Sequence, residues 1–153
     1  LTGTVIIVVA AAASFAKLLT IMQVPQRLGA SIALISSNPK VILLIIMAIM
    51  IFIGTWMETF SQIIIMTPIF LPVVTALGVD PIHFGVLFVV TAEIGFLTPP
   101  VGGNLWVAMK ISGTSLEELS KATIPFVLTY ILVLLILVYF PEISLFLPRL
   151  IFG

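Results

Sequence analysis

Long runs without charge are what most narrow the folds open to this chain. Leu1 to Ala16, Val41 to Met57, Thr59 to Val79 and Ala122 to Phe140 contain no Asp, Glu, Lys or Arg. A helix rises about 1.5 Å per residue, so roughly 20 such residues cross a hydrocarbon core about 30 Å thick. Hydrophobic residues make up 61% of the chain and charged residues only 8%, against roughly 25% charged in an ordinary soluble domain. A soluble chain of this length could not cover such a core with polar surface. Lipid must be the solvent for much of it, and the reading is an all-α integral membrane protein. The six basic and six acidic residues cancel, leaving no electrostatic footprint for nucleic acid. The absence of cysteine removes disulfide and thiolate chemistry. No charged leader precedes a short apolar core and a cleavage site, so no signal peptide is read. The abrupt apolar start at Leu1 suggests one part of a larger repeated fold.

Punctuation between the runs divides a single membrane domain, 1–153, into modules. A first span is expected over 2–23, with Lys17 snorkelling to an interface. An interfacial arm follows over 24–40, where Leu28, Ile32 and Ile35 recur at helical spacing among Pro25, Arg27, Ser36, Asn38 and Pro39. Residues 41–79 read as a helical hairpin turning at Gly54–Thr59, its second arm kinked by Pro68 and Pro72. Gly78-Val79-Asp80-Pro81 is a turn, followed by a broken span over 82–111. In the linker 112–121, Ser115 and Glu118 have capping-box spacing. A span over 122–140 stops at Pro141, and an amphipathic tail, 141–153, rests in the interface. The hairpin arms are long enough that two full spans and a re-entrant hairpin both remain open.

Two places break a rule of membrane structure, because irregular backbone at depth survives only beside protein or a water-filled cavity. The first is Thr98-Pro99-Pro100-Val101-Gly102-Gly103-Asn104. Its prolines lack N–H groups and disfavour helix before them, while its glycines tolerate unusual backbone. The segment therefore predicts two half-helices, one ending near Gly95–Leu97 with free carbonyls, the other starting near Gly102–Asn104 with free N–H groups. Such a pair can hold a cation at one side and an anion at the other, as discontinuous helices of secondary transporters do. A proline kink that only shapes packing is the plainer reading. The hairpin turn is the second place: Ile53-Gly54-Thr55 has the layout of Ile94-Gly95 with Thr98. If the hairpin re-enters, its tip carbonyls help cage a small cation. If both arms span, Glu58 is an ordinary loop carboxylate. Glu93 falls about 16 Å along its helix, near the bilayer centre, where an ionisable group should face protein. It is a candidate proton or ion ligand, or else a protonated carboxyl or one paired with a polar side chain. His83 reads as interfacial, and Trp56 and Trp106 read as gate or packing residues. No enzyme motif is present, and Asp80 is the sole aspartate, which excludes a paired-aspartate intramembrane protease. The chain is not read as an enzyme.

Several stretches are similar to the large membrane subunit of tripartite ATP-independent periplasmic (TRAP) transporters. They are Thr67-Pro68-Ile69-Phe70-Leu71-Pro72, Leu77-Gly78-Val79-Asp80-Pro81-Ile82-His83-Phe84-Gly85, Glu93 to Ala108, and Tyr139-Phe140-Pro141-Glu142-Ile143-Ser144-Leu145. The resemblance covers essentially the whole chain and matches the C-terminal third of that subunit. It implies half of an inverted-repeat, elevator-type fold in the bacterial inner membrane, with a periplasmic C-terminus. It implies import of organic acids delivered by a periplasmic substrate-binding protein, with a small membrane subunit as second partner. Sodium is the coupling ion and no cofactor is needed. On this resemblance, carbonyls near Gly54, Thr55, Gly95 and Leu97, with the Thr98 hydroxyl, hold Na⁺. Thr98, Pro99, Gly102, Gly103 and Asn104 face the substrate, with Glu58 and Glu93 as further candidates. Rival readings are an ion-coupled anion transporter of the same plan without a binding protein, and a non-transporting structural subunit of a membrane complex.

Overall fold

A computed structural model describes residues 2–24, 26–27, 31, 36, 38–100 and 102–152. The interfacial arm expected over 24–40 depends on Leu28, Ile32 and Ile35, which lie outside the described residues. The helices bounded among the described residues are α1 (Thr2–Ile21), α2 (Pro39–Gly54), α3 (Thr59–Ala76), α4 (Pro81–Phe96), α5 (Gly103–Ser112), α6 (Leu116–Tyr139) and α7 (Glu142–Phe152). No strand occurs among the described residues. Helices α3 and α6 are long and apolar enough to cross a membrane.

Local chemistry sets the starts. The Asn38 side chain accepts from Lys40 N at 3.0 Å, with Pro39 as the first helical residue of α2. Asp80 does the same for α4, accepting from Ile82 N at 2.7 Å ahead of Pro81. Both pair a side-chain acceptor with a proline that has no N–H to leave unsatisfied. The Ser115–Glu118 capping box opens α6. Pro68 and Pro72 lie inside α3, and Pro125 inside α6, without ending either helix.

Packing centres on α4, which contacts α2, α3, α5, α6 and α7, while α1 lies against α3. Ile42, Leu43, Ile46, Met47, Met50 and Gly54 form the buried stripe of α2. It meets the α4 stripe of Phe84, Leu87, Phe88, Thr91, Ala92 and Gly95. The Thr91 hydroxyl bridges the pair, 3.0 Å from Met47 Sδ and 2.6 Å from Leu87 O. Lipid is as apolar as these side chains, so close packing, small residues and such hydrogen bonds hold the pair together, more than burial itself. Met47 beside Thr91 and Gly54 beside Gly95 give α2 and α4 the same direction. Their C-terminal ends therefore come together.

The other end is tied by polar contacts. Lys40 Nζ donates to Tyr139 O at 3.5 Å and lies 5.0 Å from the Tyr139 ring centre. His83, read from the sequence as interfacial, is buried, its Nδ1 2.5 Å from Ser144 Oγ on α7. Helix α7 buries Leu145 and exposes Phe146, Leu147, Leu150, Ile151 and Phe152, with Arg149 paired to Glu142 at 2.5 Å.

Candidate functional site

The site begins with two glycines. A Cβ added to Gly95 would lie 2.7 Å from both the Cα and the carbonyl carbon of Gly54, and 2.9 Å from Ile51 O. A Cβ on Gly54 would meet Gly95 Cα at 3.2 Å and Ala92 O at 3.5 Å. Backbone touches backbone here, and only residues without a side chain allow it. The hairpin tip thus sits directly on the last turn of α4.

Each helix end carries unpaired acceptors. At the end of α4, Leu97 N bonds Glu93 O at 3.0 Å and Thr98 N bonds Gly95 O at 3.0 Å. Phe96 O would normally accept from the residue three or four places on, but these are Pro99 and Pro100, which have no N–H. The Thr98 hydroxyl turns back to Ile94 O at 2.6 Å, keeping its lone pairs available. At the end of α2, the buried Thr55 donates its hydroxyl to Phe52 O at 2.8 Å. Trp56 N and Met57 N both go to Ile53 O, each at 3.0 Å. Among the described residues no hydrogen bond reaches the carbonyl of Gly54 or of Phe96. Each helix C-terminus carries roughly half a negative elementary charge, so two converging ends approach one full charge. That arrangement suits a monovalent cation with a preference for oxygen ligands.

Across the break, residues 97–100 and 102 are not helical, and the Pro99–Pro100 peptide is cis. Gly102 takes a left-handed conformation, φ 47°, at the start of α5, where no side chain caps the free N–H groups. Gly102 O accepts from Leu105 N at 2.7 Å. Gly103 lies under the Phe96 ring, whose atoms come within 2.2 Å of where a Cβ would stand. The ring occupies the space a larger residue would fill. Asn104 is exposed at the same end. The first turn of α5 therefore presents unsatisfied donors and a positive dipole end. Leu97, Thr98 and Pro99 also line a cavity of about 110 Å³ against Ser120, Thr123, Ile124, Val127 and Leu128 of α6.

Not every candidate gathers here. Glu58 is exposed and caps α3, accepting from Phe60 N at 2.9 Å and Ser61 N at 3.2 Å. Glu93 is half-buried, and its carboxylate makes no hydrogen bond among the described residues. Neither supplies an atom nearest the Gly54–Gly95 contact. Trp56 and Trp106 are exposed, at 62% and 46%. The sequence reading missed Gln62. It is fully buried, its Nε2 donates to Met50 O at 2.7 Å, and its Oε1 lies 3.3 Å from the Cβ position of Gly54. A lone glutamine in an apolar arm is the signal that was there to find.

Comparison with known proteins adds an independent line. Residues 1–143 match the family model described as tripartite ATP-independent periplasmic transporter, DctM component. The chain is 42% identical over 142 residues to the isethionate TRAP transporter permease protein DctMQ of Oleidesulfovibrio alaskensis, covering 93% of this chain and 22% of that protein. It is 37% identical over 149 residues to the C4-dicarboxylate TRAP transporter large permease protein DctM of Pseudomonas aeruginosa, covering 97% and 35%. The sialic acid TRAP transporter large permease protein SiaM of Vibrio cholerae is 34% identical over 152 residues, covering 99% and 36%. The chain thus spans about a fifth to a third of the length of these curated relatives.

Proposed function

Because the chain belongs to the DctM component family of TRAP transporters, we propose that it forms the ion-binding, substrate-facing C-terminal part of a sodium-coupled organic-acid importer. Membership makes it part of a membrane permease. The finer reading rests on one observation, the backbone contact between Gly54 and Gly95 that brings two helix C-termini together.

In this reading Na⁺ binds at that junction, held by carbonyls of Gly54, Thr55, Gly95 and Leu97 and by the Thr98 hydroxyl. Phe96 O, which its prolines leave without a partner, joins that set. The substrate carboxylate or sulfonate meets the α5 N-terminus at Gly102, Gly103 and Asn104, with Thr98 and Pro99 beside it. Ion and substrate then occupy opposite ends of one broken helix, so each neutralises charge that the other would face. The relatives named for isethionate, C4-dicarboxylates and sialic acid all handle organic anions, which fits a positive helix end as the shared element. One charge crossing 100 mV is worth about 2.3 kcal/mol, and the sodium gradient adds to this.

The hairpin α2–α3 is re-entrant in this scheme. In support of this, Gly54 is buried directly against Gly95 of α4, and Thr55 and Gln62 beside it are buried too. The exposed Trp56, Glu58 and Phe60 face the part of the subunit that lies outside this chain. The proposed assembly is the complete large subunit, with inverted repeats moving as an elevator, in the bacterial inner membrane. Its partners are a small membrane subunit and a periplasmic substrate-binding protein.

The test is sodium activation of uptake by the complete transporter in proteoliposomes. Thr98→Ala should raise the half-saturating sodium concentration about tenfold, the size of one contact to a charged group. Gly54→Leu should raise it further by forcing the tip off α4. Normal sodium activation in both variants would refute the assignment.

A further inference from the structure

We propose that Gln62 supplies a side-chain oxygen to the cation at the Gly54–Gly95 junction. The inference rests on the cation reading above and extends it to a residue on the second hairpin arm.

Gln62 Oε1 is the only buried side-chain N or O atom without a hydrogen-bond partner among the described residues. Its orientation is fixed from the other side of the amide. Nε2 donates to Met50 O at 2.7 Å, and reversing the amide would set two acceptors against each other. The oxygen is thereby aimed at the hairpin tip, 3.3 Å from the Gly54 Cβ position. No donor among the described residues bonds it. The atoms nearest the Cβ positions of the two glycines are this oxygen, backbone carbons of Gly54 and Gly95, and the carbonyl oxygens of Ala92 and Ile51. A buried acceptor left alone costs about 1–3 kcal/mol and is retained only where something satisfies it. Among acceptors alone, a cation does this directly. The Met50 bond gives the arrangement a second property: Gln62 belongs to α3 and Met50 to α2, so the same amide that faces the ion ties the two arms together.

The experiment uses the complete transporter with a single cysteine at Phe60, an exposed tip position (65%) outside the proposed ligand set. Labelling by an impermeant maleimide is followed as sodium chloride replaces potassium chloride. Sodium should slow labelling. Adding Gln62→Leu should raise the half-saturating sodium concentration at least tenfold, and the rate in potassium reads separately the loss of the tie to Met50. Gln62→Glu, which keeps an oxygen at the same reach but sets a second acceptor against Met50 O, should shift the midpoint less than Gln62→Leu does. If Gln62→Leu fails to reach the membrane, Gln62→Met, close to glutamine in length and volume, takes its place with the same expectation. A changed potassium rate with an unchanged sodium midpoint would make Gln62 a packing residue and overturn the proposal. An unchanged midpoint in Gln62→Leu, with a raised one in Thr98→Ala, would remove Gln62 from the site and leave the site standing. No sodium effect in the parent, or an unshifted midpoint in both variants, would overturn the cation site itself.

Discussion

Alanine at Gly95 puts the central contact to its most direct test. The new Cβ would stand 2.7 Å from two backbone atoms of Gly54, where ordinary contact begins at 3.4 Å, so the helices must part by about 3.4 − 2.7 = 0.7 Å. Overpacking of this kind costs roughly 1–3 kcal/mol. Replacing a helical glycine by alanine returns about 1 kcal/mol of backbone entropy. Gly54→Ala supplies the control, because it is also helical and gains the same term. Its Cβ meets Gly95 Cα at 3.2 Å and the Gln62 oxygen at 3.3 Å, so a retreat of about 3.4 − 3.2 = 0.2 Å suffices. The difference between the variants therefore isolates packing, and Gly95→Ala should be less stable by about 1–2 kcal/mol. Parting the helix ends also spreads the carbonyls, so its sodium midpoint for uptake should rise more than that of Gly54→Ala. The assays are thermal inactivation of the purified complete transporter and sodium-activated uptake in proteoliposomes. Equal stability of the two variants, or a greater defect in Gly54→Ala, would show that the two backbones do not meet in this way.

Two further outcomes follow from neighbouring contacts. Gly103→Ala should impair uptake, because its Cβ would fall 2.2 Å from the Phe96 ring; adding Phe96→Leu should restore much of the loss, and no rescue by the double variant would count against that contact. Glu58→Ala should destabilise α3 by about 1 kcal/mol through loss of its cap, and Glu58→Asp should keep most of it; a milder effect of alanine than of aspartate on thermal inactivation would return Glu58 to a direct role at the site.

The helix break was legible because its chemistry is local. Pro99 and Pro100 remove N–H groups wherever the chain lies, so the carbonyls near Gly95–Leu97 were predicted to be freed before any neighbour was known. The Ser115–Glu118 capping box was legible for the same reason, since all its atoms lie within one turn. Gly54 and Gly95 stood out as similar glycine–hydroxyl patterns, but their direct contact depends on α2 and α4 running side by side, which no local pattern encodes. Gln62 escaped notice altogether. Its burial is decided by how α3 meets α2, and a single amide side chain in an apolar arm has no spacing partner to flag it. Glu58 was a further candidate or an ordinary loop carboxylate, and its spacing alone did not reveal that its oxygens accept from the first N–H groups of α3. His83 was judged by its distance from a turn, and the packing of α7 buried it.

Two like helix ends pressed together raise an electrostatic question of their own. At contact distance, two half-charges of the same sign repel by an amount on the order of 1 kcal/mol at an effective dielectric constant near 20. The glycines that permit the approach do nothing to offset this, and Gln62 adds a third acceptor. A cation at the junction attracts each of these acceptors and outweighs their mutual repulsion, so its binding and the seating of the hairpin on α4 must be linked. The linkage is reciprocal: whatever holds the tip against α4 raises cation affinity by the same factor by which the cation holds the tip. The α5 N-terminus, separated from the junction only by residues 97–102, brings an anion within reach of the same charge. A carboxylate arriving there would favour the seated hairpin, and a vacant junction would disfavour it. Sodium midpoints measured with and without substrate should therefore differ in the complete transporter, lower with substrate present, and Thr98→Ala should shrink that difference. Equal midpoints in the parent would separate the two ends of the broken helix and leave the junction a cation site without a coupling role.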